Sequence, residues 1–441
     1  MGEVFRVIDP GILTTVQDLG RPGYQKFGIP VSGALDPGAL RLANALVGNP
    51  PDAAALEVTG GGLTLEAMAE CVVALAGAEA PTVRDDTPVP CFTALRLMPG
   101  QRIRLDAPRA GLRAYLAMHG GIEVPPVLGS RATCIRLGFG GLGGRALRAG
   151  DVFAAGPVTA DFGSLRGRHL PPSGRPLLTP PWAIRVVPGP QDDAFTEEAL
   201  ETFFGRSYEV TPEADRMGMR LTGPRLGHRA SADILSDAIP LGAVQVPGGG
   251  QPIVLLADRQ TTGGYPKIAT AIGADVPALA QARPGDAVRF IRITVEEAQA
   301  AAREAAEALA RLEAAIAASA IEREYTVTLE GEVTRATVQA VEEGWLVAVG
   351  GEQHLVGHST EAGKREAGAV LSPLPGLVVA VHVRQGEVVR AGARLLTLSA
   401  MKMEHDLTAP AAGTVVDLRV RPQQRVAVGD LLLRLEAPPD A

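Results

Sequence analysis

Lys402 stands between two methionines, Met401 and Met403, and is one of four lysines, with Lys26, Lys267 and Lys364, among 42 basic residues. Arginine fills the other cationic positions, so a lysine that persists is one whose chemistry arginine cannot supply. Arginine stays protonated and is a poor nucleophile toward carboxyl donors, whereas the compact lysine amine forms amide bonds. Two further stretches crowd polar side chains onto glycine-rich loops. Residues 17–49 (QDLGRPGYQKFGIPVSGALDPGALRLANALVGN) hold Arg21, Tyr24, Lys26, Ser32 and Asp36. Residues 236–270 place Arg259, Gln260, Thr261, Thr262, Tyr265 and Lys267 just past the apolar run PIVLLAD. Polar groups on a loop that follows a buried strand suit a binding site.

The elements that must position these residues read as mostly β. The 441 residues contain 52 Gly and 35 Pro, and short apolar segments such as VVALAG, GLRAYLAMHGG and WAIRVVPGP recur between turns. Aromatics make up only 4%, so aliphatic side chains must fill the cores. Two helices are expected in the first 292 residues, one in ALDPGALRLANALVGN with Asp36-Pro37 at its start, one in QDDAFTEEALETFFG. MPGQRIRLDAP and RPGDAVRFIRI echo each other and hint at a duplicated β domain. Residues 138–143 match GxGxxG, but no clear helix follows, so they read as turns.

The Ala/Glu/Arg-rich stretch after residue 293 predicts a long helix, and 325–357 a small β meander. The expected boundaries are 1–292, a helical linker over 293–323, a small β segment with flexible linker over 324–369, and a last domain over 370–437. A net charge of −7 without a basic stripe argues against nucleic acid, and no run is long and apolar enough to span a membrane. Three cysteines without paired spacing, scattered histidines and no visible secretory signal lead to three expectations: a cytoplasmic protein, no disulfide and no metal.

Residues 372–400 and 409–437 align without gaps at an offset of 37, with 12 identities over 29 positions. A repeat this clean implies two similar units related by pseudo-symmetry, together a flattened β-sandwich. Lys402 lies in the link between the halves, where an attachment enzyme can reach it.

AMKMEH within this repeat resembles the biotinyl domain of biotin-dependent carboxylases, although Ser399 occupies the place usually held by Glu. Lipoyl domains share the fold and the exposed lysine but lack the paired methionines. The resemblance implies covalent biotin on Lys402, flanked by Met401 and Met403 and attached by a biotin protein ligase.

GIPVSGALD, LANALVGN, DRMGMRL and GAVQVPGGGQPIVLLADRQTTGGYPKIA resemble the carboxyltransferase family of the urea carboxylase carboxyltransferase domain, allophanate hydrolase subunit 2 and the C component of 5-oxoprolinase. The likeness covers about residues 3–292 and implies two cyclophilin-like β-barrel domains around a shared cleft. No phosphate loop or ATP-grasp pattern is visible, so the biotin would be charged by a separate ATP-grasp biotin carboxylase. A partner related to the B component of 5-oxoprolinase is also implied. The function expected is transfer of a carboxyl group from carboxybiotin to a small amide- or urea-type nitrogen. An ATP-dependent amide hydrolase subunit and a biotin carrier with a regulatory scaffold stay open. In the transfer reading Lys267 and Arg259 stabilise the developing anion and Asp36 binds an N–H. Gln260, Thr262, Tyr265, Lys26 and Arg216 contact substrate.

Overall fold

The computed structural model describes residues 2–157, 162–165 and 167–319. Beyond these it describes the backbone of 323–357 and 369–436, apart from positions 330–331, 342–343, 350–351, 373–375, 391, 401–402, 410–411 and 427–429. The chain divides into two compact units, Met1–Val356 and Gly357–Ala441.

The large unit begins with a seven-stranded sheet facing a five-stranded one. Alternation sets the inward faces. In Leu63–Ala67 and Arg102–Leu105 every second residue is buried, and these side chains meet Val58, Val73 and Leu116 of the opposite sheet. Cys71–Glu79 instead buries eight residues in a row. Its second face is covered as well, by helix α1 (Pro37–Leu46). Leu40, Ala43 and Leu46 of α1 pack on Ala74, Ala76 and Tyr115, each large aliphatic contributing about 1.5–3 kcal/mol on burial.

From Trp182 to Arg292 seven strands close into a barrel. Its core stacks Phe203 on Phe290 at 4.5 Å. Phe203 comes from helix α2 (Glu197–Gly205), capped by Thr196. Helix α3 (Val276–Gln281) follows the strand Lys267–Ala271. The two echoing motifs lead into strands of different subdomains, Arg102–Leu105 in the first sheet and Ala287–Arg292 in the barrel. The Ala-rich stretch forms helix α4 (Val295–Ala318), opened by a Thr294–Glu297 capping box. One face of it packs back on α1. Ile316 is fully buried there, and Arg41 forks onto Glu313 through two 2.9 Å hydrogen bonds. A four-stranded antiparallel sheet over residues 323–357 completes the unit.

The C-terminal unit repeats itself at the offset seen in the sequence. Gly376–Val381 corresponds to Gly413–Leu418, Val388–Val389 to Arg425–Val426, and Arg394–Ala400 to Leu431–Glu436. The short strands are exchanged. Val388–Val389 pairs with Gly413–Leu418, and Arg425–Val426 pairs with Gly376–Val381. The mainly β architecture, with a barrel and a C-terminal sandwich, is therefore the one expected.

Candidate functional site

The two polar loops meet at the junction of the β-sandwich and the barrel. The Ser32 N–H donates to the Ala257 carbonyl at 3.2 Å, and Arg216 Nη2 donates to the Gly33 carbonyl at 2.6 Å. Arg216 lies between two carboxylates, with Nη1 2.5 Å from Glu57 Oε1 and Nε 2.9 Å from Asp258 Oδ2. Glu57 Oε2 accepts further bonds from the Leu35 N–H at 3.0 Å and the Tyr115 hydroxyl at 2.7 Å. Arg113 Nε stands 3.9 Å from Glu57. Burial alone would raise the Glu57 carboxyl, but Arg216 and Arg113 outweigh it and hold the group below the usual carboxylate range. Burial likewise opposes the Arg216 charge, and Glu57 and Asp258 together overcome it and raise its pKa.

Asp36 belongs to the same network and caps α1. Its Oδ1 accepts from the Ala39 N–H and its Oδ2 from Gln281 Nε2, both at 2.9 Å. Its own N–H donates to the Tyr115 hydroxyl at 2.8 Å. Burial pushes the Asp36 carboxyl up and the Glu57 charge adds to this, against the Ala39 and Gln281 hydrogen bonds. Two neighbouring carboxylates are thereby driven apart in proton affinity, an arrangement that separates a fixed anion from a group able to hold a proton.

The second cluster surrounds a short ribbon, Asp237–Ala238 paired with Thr262–Gly263. Lys267 opens a barrel strand and is 1% exposed, and its Nζ donates to Asp237 Oδ2 at 2.9 Å. That hydrogen bond holds the half-exposed Asp237 below the usual range. Gln191 braces the pair, donating to Asp237 at 3.2 Å and accepting the Lys267 N–H at 3.2 Å. Arg259 is buried yet forms no ion pair among the described residues. Nε and Nη1 donate to the carbonyls of Ile239 and Leu256 at 3.0 and 3.2 Å, and burial lowers its pKa. Gln260 is half-buried, Thr262 is exposed on the ribbon, and Tyr265 is exposed with its carbonyl accepting from Gln245 at 3.2 Å.

Lys267, Arg259, Gln260, Thr262 and Tyr265 thus gather at one ribbon, as the loop composition implied. Asp258, adjacent to Arg259 in the chain, joins this cluster to the junction that holds Arg216 and Asp36. Two expectations change. Arg216 has all three guanidinium nitrogens engaged inside the protein, so it pins the junction and does not meet substrate. Asp36 carries a structural load as helix cap besides any chemical role. Lys26 sits apart on the exposed turn Gln25–Phe27, its ammonium 5.0 Å from the Phe27 ring. Glu57, Asp237 and Gln281 went unread in the sequence. A lone charge inside the apolar strand ALEVT was the available signal for Glu57, and the other two had none.

In the C-terminal unit, Arg394–Ala400 and Met403–Thr408 pair up to Ala400 opposite Met403. Only two sequence positions separate them. Met401 and Lys402 lie outside the described residues. A closed aliphatic core below this link, built on Val378, Leu396, Leu398 and Leu433, fits a domain that carries a tethered group at that point. Among the described residues no cluster suits a metal ion and no helix is long and apolar enough to cross a membrane.

Residues 27–292 match the family model of the carboxyltransferase domain, subdomain A and B, and residues 368–435 match that of the biotin-requiring enzymes. Over 297 residues the chain is 42% identical to the C component of 5-oxoprolinase from Escherichia coli (strain K12), covering 67% of this chain and 93% of that protein. Its C-terminal part is 40% identical over 86 residues to the mitochondrial methylcrotonoyl-CoA carboxylase subunit alpha of Arabidopsis thaliana, covering 20% of this chain and 11% of that one. The crystal structure of the K. lactis urea amidolyase superposes with a TM-score of 0.66 at 28% identity, covering 80% of this chain. This chain spans 23% of the length of that solved protein. A charged junction between two β subdomains, a repeat-built sandwich and these matches lead to one assignment: the chain belongs to the carboxyltransferase family of subdomains A and B and carries a biotinyl domain for covalently attached biotin.

Proposed function

We propose that this chain is the transferring component of a biotin-dependent carboxylase, moving a carboxyl group from biotin on Lys402 to a nitrogen of a small amide- or urea-type acceptor. The observation that carries this reading is the union, on one chain, of a biotinyl domain with a carboxyltransferase unit whose two β subdomains meet at a charged junction. When bound, biotin supplies a ureido nitrogen able to carry the carboxyl group.

The residues of this chain do the rest. Lys267 and Arg259 set positive charge beside the ribbon, where it stabilises a carboxyl anion as it passes. Gln260, Thr262 and Tyr265 orient the acceptor, and Lys26 adds a cation on the neighbouring exposed turn. Asp36, whose carboxyl is pushed up by burial, accepts the acceptor N–H. Glu57 and Arg216 keep the subdomains in register. Charging the biotin falls to a separate ATP-grasp biotin carboxylase, attachment to a biotin protein ligase, and a partner like the B component of 5-oxoprolinase completes the assembly.

The test uses full-length biotinylated protein charged with labelled carboxyl and offered urea, guanidine or 5-oxoproline. Lys267→Met should lower transfer by about 10²-fold, the loss typical for one anion-stabilising donor. Unchanged transfer removes Lys267 from the mechanism. A second reading, a component of an ATP-dependent amide hydrolase, is favoured by the 42% identical relative named as part of 5-oxoprolinase. Ring opening of 5-oxoproline that persists without bicarbonate would support it.

A further inference from the structure

Three buried polar atoms within residues 17–32 have no hydrogen-bond partner among the described residues: Gln17 Oε1, Arg21 Nη1 and Ser32 Oγ. Buried polar groups are nearly always satisfied, so three orphans in one short stretch call for a physical reason. Arg21 is 1% exposed. Its Nε donates to the Val127 carbonyl at 3.3 Å, its Nη2 to the Ala132 carbonyl, and the Phe139 ring lies 4.8 Å from its carbon. The nearby Asp18 is spent elsewhere, accepting from Gly20 N–H at 2.7 Å, Ser130 Oγ at 2.6 Å and Arg131 N–H at 2.5 Å. Gly140 preserves the space of the guanidinium, since a Cβ there would stand 3.0 Å from Nη2.

Ser32 is 4% exposed and holds φ at 55°, a left-handed conformation uncommon for a residue with a side chain. Such strain persists where surrounding structure over-determines it, often at ligand sites. The segments of Arg21 and Ser32 run side by side, with the Arg21 N–H donating to the Val31 carbonyl at 2.8 Å. Between them the exposed turn 22–29 has described hydrogen bonds only to itself, Phe27 N–H to Tyr24 and Gly28 N–H to Gln25. Nothing described ties this turn down.

We propose that Arg21 Nη1 and Ser32 Oγ form a binding site for a small carboxylate-type anion, reached when the turn 22–29 moves aside. A guanidinium edge and a hydroxyl donor together match the oxygens of a carboxylate. The natural occupant, resting on the transfer reading above, is the carboxyl group in passage. The backbone of Ser32 is bonded to Ala257, next to Asp258 of the junction, which places the site at the same meeting of subdomains.

The probe is formate, titrated into the full-length protein against chloride at equal ionic strength, with the melting of the large unit as readout. Formate should raise the wild-type melting temperature saturably. Ser32→Ala removes an orphan hydroxyl, so it should melt about 2–4 °C higher without formate and lose the formate response. Arg21→Lys should lose the response too. A formate shift equal to wild type in both variants overturns the site, as does no shift in wild type. A lower melting temperature for Ser32→Ala shows that the hydroxyl is already satisfied and also overturns it. Formate binding without carboxyl transfer to any acceptor would sink the functional reading and leave the site standing. Transfer without formate binding would do the reverse.

Discussion

At the junction of the two β subdomains Glu57, Arg113, Arg216 and Asp258 are all buried. The C-terminal unit is built the other way, from Val378, Leu395, Leu396, Leu398, Val415, Leu432 and Leu433, with Ser372 and Thr397 as its buried polar residues among those described. Taking charges out of water costs several kcal/mol per ion, which their mutual attraction only roughly offsets. An aliphatic core meets no such cost. We read the difference as one of task. The large unit must hold two subdomains in a single register so that groups from both face one site, and ion pairs that tolerate no misalignment suit that demand. The C-terminal unit needs only to fold and present a link.

This contrast can be broken in three places. The largest effect should come from Arg216→Met, which strands Glu57 and Asp258 without their cation and should cost about 3–5 kcal/mol in denaturant unfolding of the large unit. The gap to wild type should also depend on pH. Glu57 is held below its ordinary value of 4.5, so the stability it lends is present above that pH and lost as pH falls through its lower folded value. The gap should therefore narrow on acidification below about pH 4.5. A gap that stays constant would show that the network is not electrostatic in origin. Leu396→Ala should come next, at about 2–5 kcal/mol, confined to the C-terminal transition. A shift of the large-unit transition in the same variant would deny the units their separate cores. Arg41→Ala, which cuts the half-buried fork to Glu313, should be the mildest at about 0.2–1 kcal/mol. A loss several times larger would mean that α4 holds the sandwich together.

Much of the architecture was legible because its signals are local. Asp36-Pro37 marked the start of α1, the capping residues around Thr294 marked α4, and the 37-residue offset of the C-terminal repeat reappears strand for strand. The loop 236–270 announced its cluster by composition, and Lys267, Arg259 and Tyr265 do converge there. Pairing was not legible. Arg216 meets Glu57 across 159 residues of sequence, and Gln281 meets Asp36 across 245. Nothing near Arg216 in the chain says that its charge is spent on partners inside the protein. The same holds for Asp237, an unremarkable loop aspartate until the barrel brings Lys267 beside it.

The exchange of short strands in the C-terminal unit has a bearing on how that unit comes into being. Each half lends its neighbour an edge: Val388–Val389 completes the sheet of the second half and Arg425–Val426 that of the first. Neither half is a finished module, so the duplication cannot be undone by losing one copy, and the ribosome must deliver both before either sheet closes. The attachment enzyme therefore meets a surface that exists only after the second half has been made, which orders synthesis, folding and modification in time.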